Sequence, residues 1–144
     1  ADGAWGHLGS VTRLKALGQA ERCKVSAEDA YGYGDFKTAA ARYGDAIVQC
    51  PSEDRWFRAT LLIGRAACHR RAREFQRAVE DCDASLLLFP RYARAHFRRA
   101  ACLVEAGRPN EAVKSFETLL RLDRSWPGLC DWLVRAHAQA KRCE

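Results

Sequence analysis

The residues of this 144-residue chain that are best suited to chemistry are its seven cysteines and four histidines. The cysteine count is odd and no Cys-x-x-Cys pair occurs, so neither a disulfide framework nor a zinc site is predicted. Cys23, Ser26 and Glu28 lie close together on one predicted helix, but no histidine is in reach to act as their base. His69 and His96 occupy helical positions that usually pack, and we interpret both as partly buried structural residues. The sequence therefore predicts no catalytic residue, no metal and no other cofactor.

The composition indicates a folded, basic chain. Apolar residues make up 48% and charged residues 29%, which is typical of a folded protein and excludes a disordered one. The chain has no Gly-rich phosphate loop and no paired carboxylates for a cleft, so we expect no enzyme. The net charge of +6 favours acidic partners.

The cellular setting is predicted from what the sequence lacks. No apolar run is long enough to span a membrane, and residues 1–6 lack the basic start and apolar core of a signal peptide. We interpret the cysteines as packing residues in a reducing compartment, the cytoplasm. Because the chain contains no methionine, we expect it to be a segment of a longer protein.

One short pattern recurs three times and organises the rest of the chain. It has a small residue, a larger residue four places on, and a small or apolar residue three places further. The copies are Ala39, Tyr43 and Ala46; Ala78, Cys82 and Ser85; and Ala112, Phe116 and Leu119. The step from Ala78 to Ala112 is 34 residues, which is the period of the tetratricopeptide repeat, a pair of antiparallel helices. Extra residues after Pro51 lengthen the preceding step to 39.

This period predicts an all-α fold: a right-handed superhelix of three tetratricopeptide repeats plus a C-terminal capping helix, with seven helices in all. Residues 1–9 contain three glycines and no apolar periodicity, so we expect a leader there and one long helix over about 10–33. A single domain over 10–143 then holds repeats at about 20–53, 59–92 and 93–125, with the capping helix at about 127–143.

Small residues on both helices of each pair are predicted to let neighbouring backbones approach closely. They are Ala27, Ala66 and Ala100 on the first helices and Ala39, Ala78 and Ala112 on the second. Pairs stacked with a constant rotation form a concave groove lined mainly by the first helices, and we expect the function to lie there.

With the helices phased in this way, residues 20–143 resemble the tetratricopeptide co-chaperones, and most closely the DnaJ-type proteins in which such repeats precede a J domain. Four stretches carry the resemblance: Gly64–Cys68 (GRAAC), Ala78–Cys82 (AVEDC), Tyr92–Ala100 (YARAHFRRA) and the closing Ala138–Arg142 (AQAKR). No His-Pro-Asp triplet occurs in the chain, so the resemblance implies that any J domain follows Glu144.

In that family the groove commonly binds the acidic C-terminal tail of the seventy- or ninety-kilodalton heat-shock chaperones through a clamp for two carboxylates. The resemblance implies that Lys24, Arg94 and Arg98 supply the cations, with Arg94 in place of the usual lysine. Glu28 and Gly64 occupy the positions of two asparagines. We expect Glu28 to pair with Lys24 across one helical turn. Loss of two amide donors should weaken tail binding by at least about tenfold, so the predicted clamp is incomplete.

Ile63 and Phe97 fall one position away from the groove cations. They are candidates for forming a pocket that binds an apolar side chain of a peptide. The alternative is that they pack between the helices of the repeats. The leading predicted function is therefore a protein-interaction module of a co-chaperone, which docks a heat-shock chaperone tail or another acidic protein segment.

Two other functions stay open. Nucleic-acid binding would use the +6 charge, but the arginines alternate with acidic residues on most helices and the four tryptophans are irregularly spaced. Self-association, or docking onto a neighbouring domain, would use the front half of the helix over about 10–33 and make a homo-oligomer. No membrane partner is predicted.

Overall fold

The computed structural model describes the backbone of residues 2–143 and the side chains of residues 9–143. This part of the chain forms seven α-helices and no strand. They are α1 Asp2–Gly32, α2 Phe36–Gln49, α3 Arg55–Arg71, α4 Phe75–Leu88, α5 Ala93–Glu105, α6 Pro109–Leu122 and α7 Leu129–Arg142. Each helix packs against the next, and α5 also contacts α3 and α7, so α3, α5 and α7 lie side by side in one layer. The prediction of an all-α repeat superhelix is confirmed. None of the described helices has the length and apolar character needed to cross a bilayer.

The first helix differs from the prediction. It begins at Asp2, whereas the sequence predicted a leader over 1–9 and a helix from about residue 10. Extending an existing helix adds one hydrogen bond for each residue fixed, so the early glycines do not have to end it. Ala1 lies outside the described residues. Val11 and Leu14 are exposed on this helix, and self-association through its front half stays a prediction.

The three turns within the helical pairs share one hydrogen-bond geometry. The backbone N–H groups of Asp35, Glu74 and Arg108 donate to the carbonyls of Ala30, His69 and Leu103, five residues earlier. This closure requires a left-handed residue just before the donor. Gly34, Arg73 and Gly107 hold these positions, with φ angles of 83°, 64° and 81°. The first and third turns therefore use glycine, which adopts this conformation freely, and the second turn uses an arginine.

The small residues lie at the centre of the packing, as predicted. Ala39, Ala78 and Ala112 are fully buried, and Ala27, Ala66 and Ala100 are at most 1% exposed. Two apolar clusters form around them. One joins α1, α2 and α3, and the other joins α3 to α7. Leu129 and Ala136 of α7 belong to the second cluster, so this helix covers the apolar face of the preceding pair.

Four cysteines pack in the interior, namely Cys50, Cys68, Cys82 and Cys102. Burial raises the pKa of Cys68 and of Cys102 to about 11, and it raises the pKa of Cys82 further. These thiols therefore stay protonated at neutral pH and behave as small apolar groups. Cys130 and Cys143 are exposed, so the interpretation of the cysteines as packing residues was wrong for these two.

Candidate functional site

A cavity of about 590 Å³ opens between α1, α3 and α5, and we call it the groove. Side chains one turn apart on these three helices form most of its wall. Its lining residues are Glu21, Lys24, Glu28, Tyr31, Tyr43, Trp56, Phe57, Thr60, Ile63, Gly64, Ala67, Tyr92, Arg94 and Arg98. Six of the seven residues singled out from the sequence are therefore brought together in one place: Lys24, Glu28, Ile63, Gly64, Arg94 and Arg98.

The groove carries three cations in different environments. Lys24 Nζ lies 3.8 Å from a Glu28 carboxylate oxygen, which confirms the predicted pair, and 5.9 Å from the centre of the Phe57 ring. Arg94 is exposed, and neither it nor Arg98 forms an ion pair within the described part of the chain. Two guanidinium groups without carboxylate partners thus face the same cavity, and they attract anions into it.

Of these three cations, Arg98 is the one with a buried hydrogen-bond donor that has no acceptor among the described residues. Its Nε atom is buried, and no other group in the described residues accepts a hydrogen bond from it. A guanidinium can only donate, and a buried donor without an acceptor costs free energy. Arg98 therefore lines the groove with a guanidinium that has neither a carboxylate partner nor an acceptor for its Nε among the described residues.

Gly64 lets the ring of Tyr43 pass against α3. A Cβ atom on residue 64 would lie 2.6 Å from two Tyr43 ring carbons and 3.0 Å from the Tyr43 hydroxyl oxygen. Tyr43 is only 8% exposed, so this ring has little room to move. Burial raises the pKa of Tyr43 to about 12, which keeps its hydroxyl protonated at neutral pH. Tyr43 therefore occupies the space that a longer side chain on residue 64 would need.

The two apolar candidates have separate locations. Ile63 is 3% exposed and forms part of the groove wall. Phe97 is not among the lining residues. Its ring centre lies 6.3 Å from that of Phe116, 5.5 Å from that of Trp126 and 5.8 Å from that of Trp132. Phe97 therefore packs between α5, α6 and α7 and does not form a peptide pocket, which is the alternative that the sequence left open for it.

Sequence reasoning missed the aromatic residues at one end of the groove. Trp56 is 55% exposed, and its ring centre lies 4.8 Å from that of Tyr92 and 5.2 Å from that of Phe89. Trp56, Thr60, Ile63 and Ala67 follow one another at spacings of four, three and four, so the helical period places them on one face of α3. This spacing could have identified the aromatic end of the groove.

A second cavity, of about 600 Å³, lies between α2, α3 and α4. Five of its charged groups pair with one another, namely Arg65, His69, Glu74, Arg77 and Asp81. Arg65 binds Asp81 through two hydrogen bonds of 3.0 and 2.7 Å, and His69 Nδ1 lies 3.1 Å from a Glu74 carboxylate oxygen. Since these charges are satisfied internally, this cluster ties α3 to α4, and the groove is the better candidate for binding a ligand.

The comparisons with known proteins agree with the fold. A model of the tetratricopeptide repeat matches residues 93–126. The chain is 39% identical over 89 residues to the HSP-interacting protein of Zea mays and 34% identical over 106 residues to stress-induced-phosphoprotein 1 of Caenorhabditis elegans. It is 27% identical over 113 residues to DnaJ homolog subfamily C member 7 of Mus musculus. These alignments cover 60%, 74% and 76% of the chain, but only 12%, 32% and 23% of the relatives.

Two solved structures show the same architecture. The second TPR domain of human RPAP3, in complex with the HSP70 peptide SGPTIEEVD, has a TM-score of 0.76 at 24% identity. The match covers 85% of this chain and 98% of that one. The first TPR of Spaghetti (RPAP3), bound to the HSP90 peptide SRMEEVD, has a TM-score of 0.77 at 21% identity, with 87% and 95% of the two chains covered. The chain therefore has the fold of a tetratricopeptide-repeat domain, and its sequence is similar to those of co-chaperones, including one of the DnaJ type.

Proposed function

We propose that this domain docks the acidic C-terminal tail of a heat-shock chaperone, or a similar acidic protein segment, in the groove. The observation that carries the proposal is that Arg94 and Arg98 line the same cavity and that neither guanidinium has a carboxylate partner in the described residues. A carboxylate offers two oxygens that match the fork of a guanidinium, so one terminal carboxylate can satisfy Arg98. Related repeat domains that bind HSP70 and HSP90 peptides ending in EEVD support the choice of ligand.

The aromatic end gives the groove a second kind of contact. Trp56 and Tyr92 present partly exposed rings next to the buried Ile63. An apolar side chain of the bound peptide would cover these rings, while its carboxylates meet Lys24 and Arg94. The groove thus matches a short segment that mixes acidic and apolar residues, because each type has a separate wall.

Calorimetric titration with a Met-Glu-Glu-Val-Asp peptide tests this proposal. We expect saturable binding with one peptide for each domain and an affinity that falls with added salt, because charge pairs carry much of the attraction. An absence of heat change and of competition with a labelled copy of the peptide would contradict the proposal.

Tyr43 supplies a hydroxyl donor close to the position that the resemblance assigns to an asparagine amide. Replacing Tyr43 with phenylalanine keeps the ring against Gly64 and removes only the hydroxyl group. We expect peptide affinity to fall by about threefold to tenfold, the value of one neutral hydrogen bond, with little change in the unfolding temperature. The Tyr33→Phe variant is the control, because Tyr33 is 89% exposed and does not line the groove. Equal affinities for both variants and the parent would remove Tyr43 from the binding site.

Glu28 should have the opposite effect. It neutralises Lys24 and places a negative charge where a carboxylate enters. We expect Glu28→Asn to raise peptide affinity by about threefold to tenfold, because it releases Lys24 and adds an amide donor. Asp29→Asn makes the same change of charge on the neighbouring exposed residue, which does not line the groove, and should leave affinity nearly unchanged. If both variants changed affinity equally, the effect would come from net charge and not from the groove.

A further inference from the structure

The aromatic end of the groove, formed by Trp56 and Tyr92, also contains a carboxylate. Glu21 lines the groove and is exposed, and it forms no ion pair within the described part of the chain. Lys24, one turn further along α1, pairs with Glu28 instead. The groove is therefore not basic throughout, because its aromatic end holds a carboxylate that no cation of the described residues neutralises.

Two contacts place Glu21 at the level of the exposed tryptophan. On α1, Arg13 Nε donates to Asp54 at 3.2 Å, and Lys24 Nζ lies 5.9 Å from the centre of the Phe57 ring. Glu21 lies between Arg13 and Lys24 in the chain, and the tryptophan lies between Asp54 and Phe57. Helices separated by one antiparallel neighbour run in the same direction, so this order is preserved across the groove. The carboxylate and the indole ring therefore belong to the same end of the cavity.

The rings at this end are not covered by a cation, unlike most other rings of the domain. Arginine or lysine groups lie over the rings of Phe36, Phe57, Phe75, Phe89 and Trp132. Within the described residues, none lies over Trp56 or Tyr92. Tryptophan attracts a cation more strongly than the other aromatic side chains do, and Trp56 is half exposed. The aromatic end thus offers unused ring faces beside an unpaired carboxylate.

The distance between Arg98 and the aromatic end indicates which ligand residue reaches it. Gly64 lies one 34-residue repeat before Arg98, so the two mark the same level on α3 and α5. Tyr92 precedes Arg98 by six residues and Trp56 precedes Gly64 by eight, which is about 9–12 Å along the helices. An extended peptide rises about 3.3 Å per residue, so this distance is spanned by three to four residues.

We propose that Glu21, Trp56 and Tyr92 form a subsite for a lysine or arginine side chain of the ligand, three or four residues before its terminal carboxylate. The stem of such a side chain is apolar and covers the rings, and its charged head pairs with Glu21. An uncharged apolar side chain also covers the rings but leaves the carboxylate unpaired. This inference rests on the proposed function, because the ligand position is counted from the carboxylate held by Arg98. It narrows the ligand to an acidic tail preceded by a basic residue.

Four labelled peptides and fluorescence anisotropy test this subsite. Three have the sequence Gly-Ser-Xaa-Glu-Glu-Val-Asp, in which Xaa is lysine, Nε-acetyl-lysine or methionine. In the fourth, Xaa is glycine and the lysine is moved four positions toward the N-terminus. Acetylation keeps the stem and removes the charge, so the first two peptides isolate the contribution of the charged head.

Three variants of the domain complete the experiment. Glu21→Gln removes the carboxylate, and Trp56→Leu removes the indole ring but keeps an apolar side chain. Both positions are exposed, so we expect both variants to fold, and the unfolding temperature checks this. Glu117→Gln is the control for net charge, because Glu117 is exposed and does not line the groove.

We expect the parent domain to bind the lysine peptide about threefold to tenfold more tightly than the acetyl-lysine peptide, as an exposed ion pair and a cation–π contact act together. The net charge of +6 opposes a basic ligand residue, so a gain reports a local site. Glu21→Gln should abolish the gain and keep the affinity for the methionine peptide. Trp56→Leu should reduce the gain, and Glu117→Gln should keep it. The peptide with the shifted lysine should bind no more tightly than the acetyl-lysine peptide.

The failure of the subsite can be distinguished from the failure of the proposed function. If the parent domain bound the lysine and acetyl-lysine peptides equally, the subsite would be overturned and the proposed function would stand. If none of the four peptides bound, both would be overturned. A gain that survived Glu21→Gln, or that fell equally in Glu117→Gln, would also overturn the subsite, because the cation would then not be held by Glu21.

Discussion

Replacing Arg98 with methionine should lower the affinity for a peptide ending in Glu-Glu-Val-Asp by about 30-fold to 1000-fold. This range corresponds to about 2–4 kcal/mol, the value of paired, charge-assisted hydrogen bonds to a carboxylate. The free energy of unfolding should stay the same or rise slightly, because the variant removes a buried Nε that has no acceptor in the described residues. Methionine keeps much of the volume of the arginine stem, so the neighbouring core should not collapse.

Arg99→Met is the matched control for this variant. Arg99 donates to Asp83 and to Ser115, each at 2.7 Å, and it does not line the groove. This variant should lower stability and leave peptide affinity unchanged. Calorimetry measures the affinities, and urea unfolding measures the stabilities. If Arg98→Met kept its affinity within about twofold of the parent, Arg98 would not hold the ligand carboxylate.

Replacing Gly64 with asparagine should destabilise the domain by about 1–3 kcal/mol, the usual cost of forcing extra atoms into a packed site. The resemblance to complete clamps predicts a gain of binding from this change, and the structure predicts a loss. The reason is that a Cβ on residue 64 would lie 2.6 Å from the Tyr43 ring. The ring must move before an amide can reach the groove, and its hydroxyl donor moves with it.

A double-mutant cycle with Tyr43→Leu tests this explanation. Leucine removes the ring atoms that meet residue 64, so the cost of Gly64→Asn should be smaller in the Tyr43→Leu background. We expect an interaction energy of about 0.5–3 kcal/mol between the two substitutions, measured by urea unfolding of the four proteins. If the losses of unfolding free energy in the two single variants simply added in the double variant, the ring would not exclude a side chain at position 64.

Much of the fold could be predicted because its determinants are local. The small residues Ala39, Ala78 and Ala112 recur with the helical period, and each is fully buried where two helices cross. The start of α1 could not be predicted in this way, because residues 2–9 have no apolar period to indicate a helix. The left-handed turn at Arg73 also gave no local signal, since only its match to Gly34 and Gly107 marks the position.

The groove was predicted less completely, because part of it depends on contacts between distant residues. Lys24, Arg94 and Arg98 could be assigned from their phase in the repeat, and the structure places them around one cavity. Phe97 has a suitable phase too, but α7 brings Trp132 against it and draws its ring into the core. The contact of Tyr43 with Gly64 links two helices and is not visible in either helix alone.

The most direct test of this account compares two forms of one peptide in a calorimetric titration. The first form of Met-Glu-Glu-Val-Asp has a free C-terminal carboxylate, and the second has a C-terminal amide, so they differ only in the group that the guanidinium of Arg98 is proposed to bind. We predict that the free acid binds at least about tenfold more tightly, and that the difference disappears in Arg98→Met. Equal binding of the acid and the amide by the parent domain would contradict the account.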